Sequence, residues 1–240
     1  MAPPGETGRQ QPAPLSEDGR TARQKQAAAR AAAQLVHDGM RVGLGTGSTV
    51  AYLLPALAER GLRDLRCVAT SPATEHAAGA LGLPVCSLDE LGELDIAIDG
   101  ADQIDPAGWL VKGGGGALTR EKIVAASAHT FVVIASAEKA VPELRAPVPL
   151  ELLRFGAQRT LSALQPARLR PGDPSPDGGL IADYLGAVGD PAELSARLSG
   201  TPGLIEHGLF APQLVSMILI AGERGIEQRP GGAASGLGRA

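Results

Sequence analysis

The sequence predicts an α/β fold: a mostly parallel, Rossmann-like sheet with helices on both faces, joined to a smaller α+β domain. Three observations carry that expectation. Between residues 22 and 135 short apolar runs alternate with helical patterns, the order that builds a parallel sheet covered on both sides. Near Pro147 the pattern changes to short strands around a Pro/Asp/Gly-rich turn at 171–179. The 240 residues suffice for one medium domain with a small companion, and with aromatics at only 2% the core must be built from Ala, Leu, Val and Ile.

Taken in order, residues 22–37 are Ala-rich and end near Asp38-Gly39, which predicts a helix. Met40–Leu44 reads as a short strand. Ser48 is placed to cap a helix through about Arg60, kinked or shortened by Pro55 and closed by Gly61. Strands follow at Leu65–Ala69, Pro84–Ser87 and Leu94–Ile98, with a helix at 72–81. Trp109–Lys112 reads as a strand, Thr119–Ser127 as a helix capped by Thr119, and Phe131–Ala135 as a buried strand. Beyond Pro147 the pattern gives a helix at 154–165 and strands at Arg168–Arg170 and Leu180–Tyr184. A helix then opens at Asp190-Pro191 with Glu193 in a capping-box-like position, before strands at Leu204–Phe210 and Val215–Ile220. The large α/β domain is expected over 21–145 and 210–227 and the small one over 146–209. Residues 1–20 and 228–240, rich in Pro, Gly, Gln, Ala and charge, are expected as disordered tails.

A net charge of −4 argues against a surface devoted to nucleic acid. Cys67 and Cys86 form no paired motif and the four histidines have no ligand spacing, so neither a disulfide framework nor a metal site is expected. There is no signal peptide pattern and no run of 18 apolar residues, which leaves the cytoplasm as the expected compartment and no membrane as partner.

Three segments carry chemistry. Gly43-Leu-Gly45-Thr46-Gly47-Ser48-Thr49 joins a strand to a helix, and its N–H groups and hydroxyls suit a phosphate. It fails the dinucleotide fingerprint, because Ser48 stands where a glycine is needed, and it lacks the Gly-Lys-Ser/Thr of a P-loop. Asp99-Gly100-Ala101-Asp102 follows an apolar strand and puts two carboxylates at the end of the sheet where ligands bind. Taken alone, those residues are ordinary turn formers.

Lys112-Gly113-Gly114-Gly115-Gly116 is harder to explain as a connection, because four glycines carry a large entropic cost. They let a ligand approach the backbone and offer N–H donors to an oxyanion, with Lys112 adding charge at the loop's entrance. Glu121 lies in the first turn of the following helix. The helix dipole there favours an anion while burial disfavours one, so the direction of its pKa shift stays open. Lys122 reads as a solvated neighbour.

In this order the segments resemble the A-type ribose-5-phosphate isomerase family: Gly45–Thr49, Asp99–Asp102, and the ungapped Lys112-Gly-Gly-Gly-Gly-Ala-Leu-Thr-Arg-Glu-Lys-Ile123. Weaker similarity runs from about Arg23 to Ile220. The resemblance implies cofactor-free interconversion of D-ribose 5-phosphate and D-ribulose 5-phosphate through an enediolate, in the non-oxidative pentose phosphate pathway, by a homodimer or homotetramer. It makes Glu121 the base, has Asp99 and Asp102 assist ring opening and proton movement, and sets Lys112 with the N–H groups of Gly113, Gly114 and Gly115 at the enediolate oxygen. Thr46, Gly47, Ser48, Thr49, Lys25 and Lys139 would hold substrate and phosphate. Two departures stand out. Gln103 replaces a usual glutamate, and Ser136-Ala137-Glu138-Lys139 replaces an Asp-x-Ser-Lys pattern. Competing readings are a non-enzymatic sugar-phosphate sensor on the same fold, a related transferase or amino-sugar isomerase, and a nucleotide-binding module.

Overall fold

A computed structural model describes residues 16–235. Its main sheet has six strands in the order β13-β12-β6-β3-β1-β2. These are β1 (Arg41–Leu44), β2 (Arg66–Ala69), β3 (Leu94–Gly100), β6 (Ala128–Ser136), β12 (Met217–Gly222) and β13 (Gly225–Pro230). All neighbours are parallel except β13, which runs antiparallel to β12 at the edge. Successive residues of a strand face opposite sides. In β3, Ile96 and Ile98 therefore join one core while Ala97 joins the other. The first core is closed by α1 (Glu17–Ala33) and α2 (Val50–Ala58). There Ala28, Ala29, Ala32 and Ala33 let α1 pack closely, which is how a chain poor in aromatics fills its interior. The second core lies under α5 (Leu118–Ala126), with Phe131 and Phe210 among its largest buried side chains. The helices α3 (Pro72–Ala80) and α4 (Leu88–Leu91) follow β2.

A second, four-stranded sheet in the order β10-β7-β9-β8 is antiparallel throughout. It consists of β7 (Val148–Leu152), β8 (Ala167–Leu169), β9 (Leu180–Tyr184) and β10 (Leu204–His207), with α6 (Ala157–Ala163) and α7 (Pro191–Ser199) enclosing a third core. A small sheet of β4 (Gln103–Ile104), β5 (Leu110–Val111) and β11 (Leu209–Phe210) bridges the two. Lys112 N–H donates to the Gly208 carbonyl at 2.8 Å, and Gly208 N–H to the Pro149 carbonyl at 2.7 Å, so the segment leading into the glycine loop is pinned to the second sheet.

Several elements differ from expectation. Helix α1 begins at Glu17, not at 22, because Ser16 Oγ caps Gly19 N–H and Glu17 and Asp18 favour the first turn. It ends at Ala33, short of the predicted 37. Residues 17–20 are thus helical rather than tail, and residues 228–230 complete β13 against Met217–Leu219. Residues 232–235 are not tail either: they form a 3-10 turn whose Ala233 N–H donates to the Val215 carbonyl at 3.0 Å. Residues 1–15 and 236–240 lie outside the described residues. Of the expected strand at Pro84–Ser87, one bridge, Cys67 to Val85, forms before Ser87 turns into the capping box of α4. The run Leu204–Phe210 divides at Gly208 between two sheets. Strand β7 was not expected, since Pro149 interrupts its pattern with a residue that cannot donate to a ladder.

Candidate active site

The sheet brings the three segments together at the carboxyl ends of β1, β3 and β6, where a parallel sheet of this kind binds ligands. One pocket is lined by Thr46, Gly47, Ser48, Thr49, Gly100, Ala101, Asp102, Lys112, Gly113, Gly114, Gly115, Glu121 and Lys139. Eleven of the thirteen residues singled out in the sequence line it; Asp99 and Lys25 do not.

The turn after β1 needs Gly45 because a Cβ there would overlap the Asp99 carboxylate. Gly47 adopts φ +117°, a region open to glycine. Thr46 turns its hydroxyl away from the pocket, into a cluster with Thr70, Ser71 and Thr74 at 2.8–3.1 Å, and offers its N–H to Asp99 Oδ1 at 3.1 Å. Thr46 therefore fastens the turn. Ser48 does not cap a helix: α2 begins at Val50, and Ser48 Oγ accepts from Lys25 Nζ at 3.0 Å. Lys25 lies on the neighbouring cavity, reached past Ser48, with Glu138 beside it. Lys139 reaches the pocket from the short turn after β6.

Lys112 stands at the centre, buried rather than at an entrance: its side chain is 2% exposed. Its ammonium donates to the Gly100 carbonyl at 2.6 Å and pairs with Asp99 Oδ2 at 2.9 Å and Glu121 Oε2 at 3.3 Å. The Phe210 ring lies 5.4 Å below it, with Lys122 on the same ring at 4.9 Å. Two carboxylates sharing one buried ammonium leave a net negative charge out of water. Burial disfavours the Lys112 ammonium, but Asp99 and Glu121 outweigh it and hold its pKa above the ordinary lysine value. Burial likewise raises Asp99, opposed by Lys112 and by the N–H groups of Gly100 and Thr46. Glu121 is pushed up to about 7, chiefly by burial, with Lys112 opposing and Asp99 adding to the shift. Burial thus outweighs the neighbouring ammonium, and the direction the sequence left open is upward. Asp99, behind Lys112 and holding the Gly45–Thr46 turn, is placed to orient rather than to touch a ligand.

Asp102 does line the pocket and accepts from Gly114 N–H at 2.9 Å. Gly113 has φ +95°, and a Cβ there would meet Leu118 and Pro149, so the loop is glycine for packing as well as for access. Helix α5 is not capped by Thr119, whose hydroxyl donates to Glu151 at 2.5 Å; its N-terminal position is Ala117, without a side-chain cap. Lys122 is not a solvated neighbour either, since it bonds Glu206 and the His207 carbonyl, each at 2.7 Å. Gln103 turns away from the pocket. Its Nε2 donates to the Arg145 carbonyl at 2.7 Å and its Oε1 accepts from Arg145 N–H at 2.8 Å, a pairing a glutamate could not complete. Glu138 accepts from Thr21. Sequence reasoning missed Phe210 and Arg170; the latter reaches the glycine loop from 56 residues away, and no local signal marks it. Among the described residues no three side chains converge as metal ligands.

The family model described as ribose 5-phosphate isomerase A (phosphoriboisomerase A) matches residues 66–225. The chain is 44% identical over 218 residues to a ribose-5-phosphate isomerase A of Caulobacter vibrioides, covering 85% of this chain and 96% of the relative. It is 46% identical over 220 residues to that of Synechococcus sp. (strain JA-3-3Ab), covering 85% and 95%. Among solved structures, ribose 5-phosphate isomerase A from Neisseria gonorrhoeae superposes with a TM-score of 0.84 at 30% identity, covering 88% of this chain and 97% of that one. The enzyme from Methanocaldococcus jannaschii gives 0.81 at 33%, covering 87% and 98%. The chain belongs to the ribose 5-phosphate isomerase A family.

Proposed function

We propose that this chain interconverts D-ribose 5-phosphate and D-ribulose 5-phosphate through an enediolate, with Glu121 as the base. The observation that carries the reading is the Glu121–Lys112 ion pair, 3.3 Å long and buried on the pocket wall beside the glycine loop. A base works best with a pKa near the working pH, and Glu121 sits there. Ionised Glu121 takes the C2 proton of the open-chain aldose, and the electron pair passes to O1 as the enediolate. As Glu121 becomes neutral, its negative charge reappears on the substrate, still beside the Lys112 ammonium. Asp102 carries a proton between O2 and O1, and Glu121 returns its proton to C1, giving the ketose with no net gain or loss. The N–H groups of the glycine loop stabilise the oxyanion. Ser48, Thr49 and Lys139, with Lys25 behind Ser48, form the phosphate end. Asp99 acts through Lys112.

A sensor needs no buried base, and two carboxylates on one buried ammonium are a costly arrangement for a protein that only binds. A structure 33% identical, with a TM-score of 0.82, carries phospho-erythronic acid by its title. The planar carboxylate of that compound presents two oxygens as an enediolate does, and it should inhibit this chain competitively. Metal-chelated protein assayed without added cofactor should convert ribose 5-phosphate to ribulose 5-phosphate. Binding of the sugar phosphate without conversion would leave the sensor reading instead.

We also place the chain in the cytoplasm, where a charged sugar phosphate is retained; no helix among the described residues is long and apolar enough to cross a membrane. The exposed Leu153, Phe155 and Ile205 supply an apolar surface for a homodimer or homotetramer. Light scattering at micromolar concentration reads this directly, and a monomeric mass would contradict it.

A further inference from the structure

We propose that Arg170, with Asp183 behind it, is a positioning residue that aims the glycine-loop N–H groups at the reacting oxygen. The inference rests on the isomerase reading above. Arg170 follows β8 in the second sheet and Asp183 lies in β9. The guanidinium binds Asp183 through both ends of its fork, Nη2 to Oδ1 at 2.5 Å and Nε to Oδ2 at 3.2 Å. Its remaining nitrogen, Nη1, donates to the Gly114 carbonyl at 2.9 Å and the Gly113 carbonyl at 3.4 Å.

A trans peptide unit points its C=O and its N–H in opposite directions. The carbonyls of Gly113 and Gly114 belong to the same peptide units as the N–H groups of Gly114 and Gly115. Holding those carbonyls from one side therefore turns the two N–H groups to the other. The first unit shows the direction: Arg170 holds its carbonyl, and its N–H turns to the pocket side, where it holds Asp102 Oδ2. The second unit, clamped the same way, is the one left to direct the Gly115 N–H at the oxygen. Arg170 itself lies on the adjoining cavity across the loop, which Gly114 and Gly115 line as well.

Positive charge on the carbonyl also polarises each amide and strengthens its N–H as a donor to an anion. A run of glycines needs such a clamp more than any other sequence, because without side chains each peptide plane is free to rotate. Arg170 is fixed by Asp183 before substrate arrives, so the donors are set in advance of the reaction.

Arg170→Ala, Arg170→Lys and Asp183→Asn test this alongside wild type, with circular dichroism to confirm folding. Arg170→Ala should lower kcat by about 10–100-fold, less than the ~10²–10³ for deleting an oxyanion donor outright, and move KM less than about threefold. Guanidinium ion at millimolar concentration should restore part of the loss in Arg170→Ala and none in Glu121→Gln. Arg170→Lys should recover little, since lysine lacks the fork that joins Asp183 to the loop. Asp183→Asn, which keeps the arginine, should show the same kcat-weighted loss in smaller degree, and it carries the test if Arg170→Ala does not fold. Amide exchange over residues 112–116 should quicken in the variants, whether or not the wild type isomerises this sugar.

An inactive wild type would overturn the isomerase reading, and unchanged loop exchange would overturn the clamp separately. Undiminished kcat in a folded Arg170→Ala, or a rise in KM alone, would also overturn the clamp while leaving the isomerase reading intact.

Discussion

Glu121 and Asp99 are both acidic, both buried and both paired with Lys112, yet the geometry gives them different work. Asp99 holds the shorter contact, accepts two backbone N–H groups and is not among the residues that line the pocket. Glu121 holds the longer one and faces it. Its raised pKa has two consequences of known sign. As a base it works ionised, so kcat/KM should rise with pH through a limb near 7, and a profile flat between pH 5 and 8 would count against it. For stability, a carboxyl whose folded pKa lies above its unfolded value binds its proton more tightly when folded. Its contribution is present below about 4.5 and is lost as pH rises to about 7, a loss of at most about 3 kcal/mol. Relative to wild type, Glu121→Gln should therefore gain thermal stability between pH 5 and pH 8, and a constant difference would contradict the shift.

At the scale of elements, the site depends on turns that approach one another too closely for side chains. Gly45→Ala would drive a methyl into Asp99, disturbing the ammonium that Asp99 orients, and should lower kcat and destabilise the fold by about 1–3 kcal/mol, read as a lower thermal midpoint. A variant with wild-type kcat would show that Asp99 tolerates displacement. The elements were unequally legible. Val42–Leu44, Ile96–Ile98 and Phe131–Ala135 are buried on both faces, so their apolar runs announce a parallel sheet. Strand β13 is exposed and polar and exists because β12 offers it an edge; β7 carries a proline its neighbours accommodate. The pocket residues were legible because glycine, lysine and acid types cluster in short segments. Their roles were not, because Thr46, Ser48 and Thr119 each spend a hydroxyl on a partner at least 23 residues away. Arg170 was invisible for the same reason.

Across the whole molecule, the site is held between two sheets, and one buried histidine marks how they join. His207 ends β10, accepts Leu209 N–H on Nδ1 at 3.2 Å and meets Ser199 Oγ with Nε2 at 3.0 Å. Burial, with Lys122 nearby, pulls its pKa down to about 4. A histidine that is neutral when folded contributes stability above its unfolded value near 6.5, and that contribution is lost as pH falls towards 4. It opposes the trend set by Glu121 over the same range. His207→Gln should flatten the acid side of the stability curve and steepen the fall above pH 5 left by Glu121, measurable by thermal melts from pH 4 to 8. An unchanged curve would show that protonating His207 costs the fold nothing.

Proton abstraction by one carboxylate is the step on which the isomerisation depends. Steady-state kinetics of Glu121→Gln with ribose 5-phosphate is its most direct test, because glutamine keeps the shape and the pocket while removing the base. The prediction is a fall in kcat of about 10²–10⁴-fold with KM changed only severalfold. A kcat within a factor of a few of wild type would contradict it and remove Glu121 from the role of base.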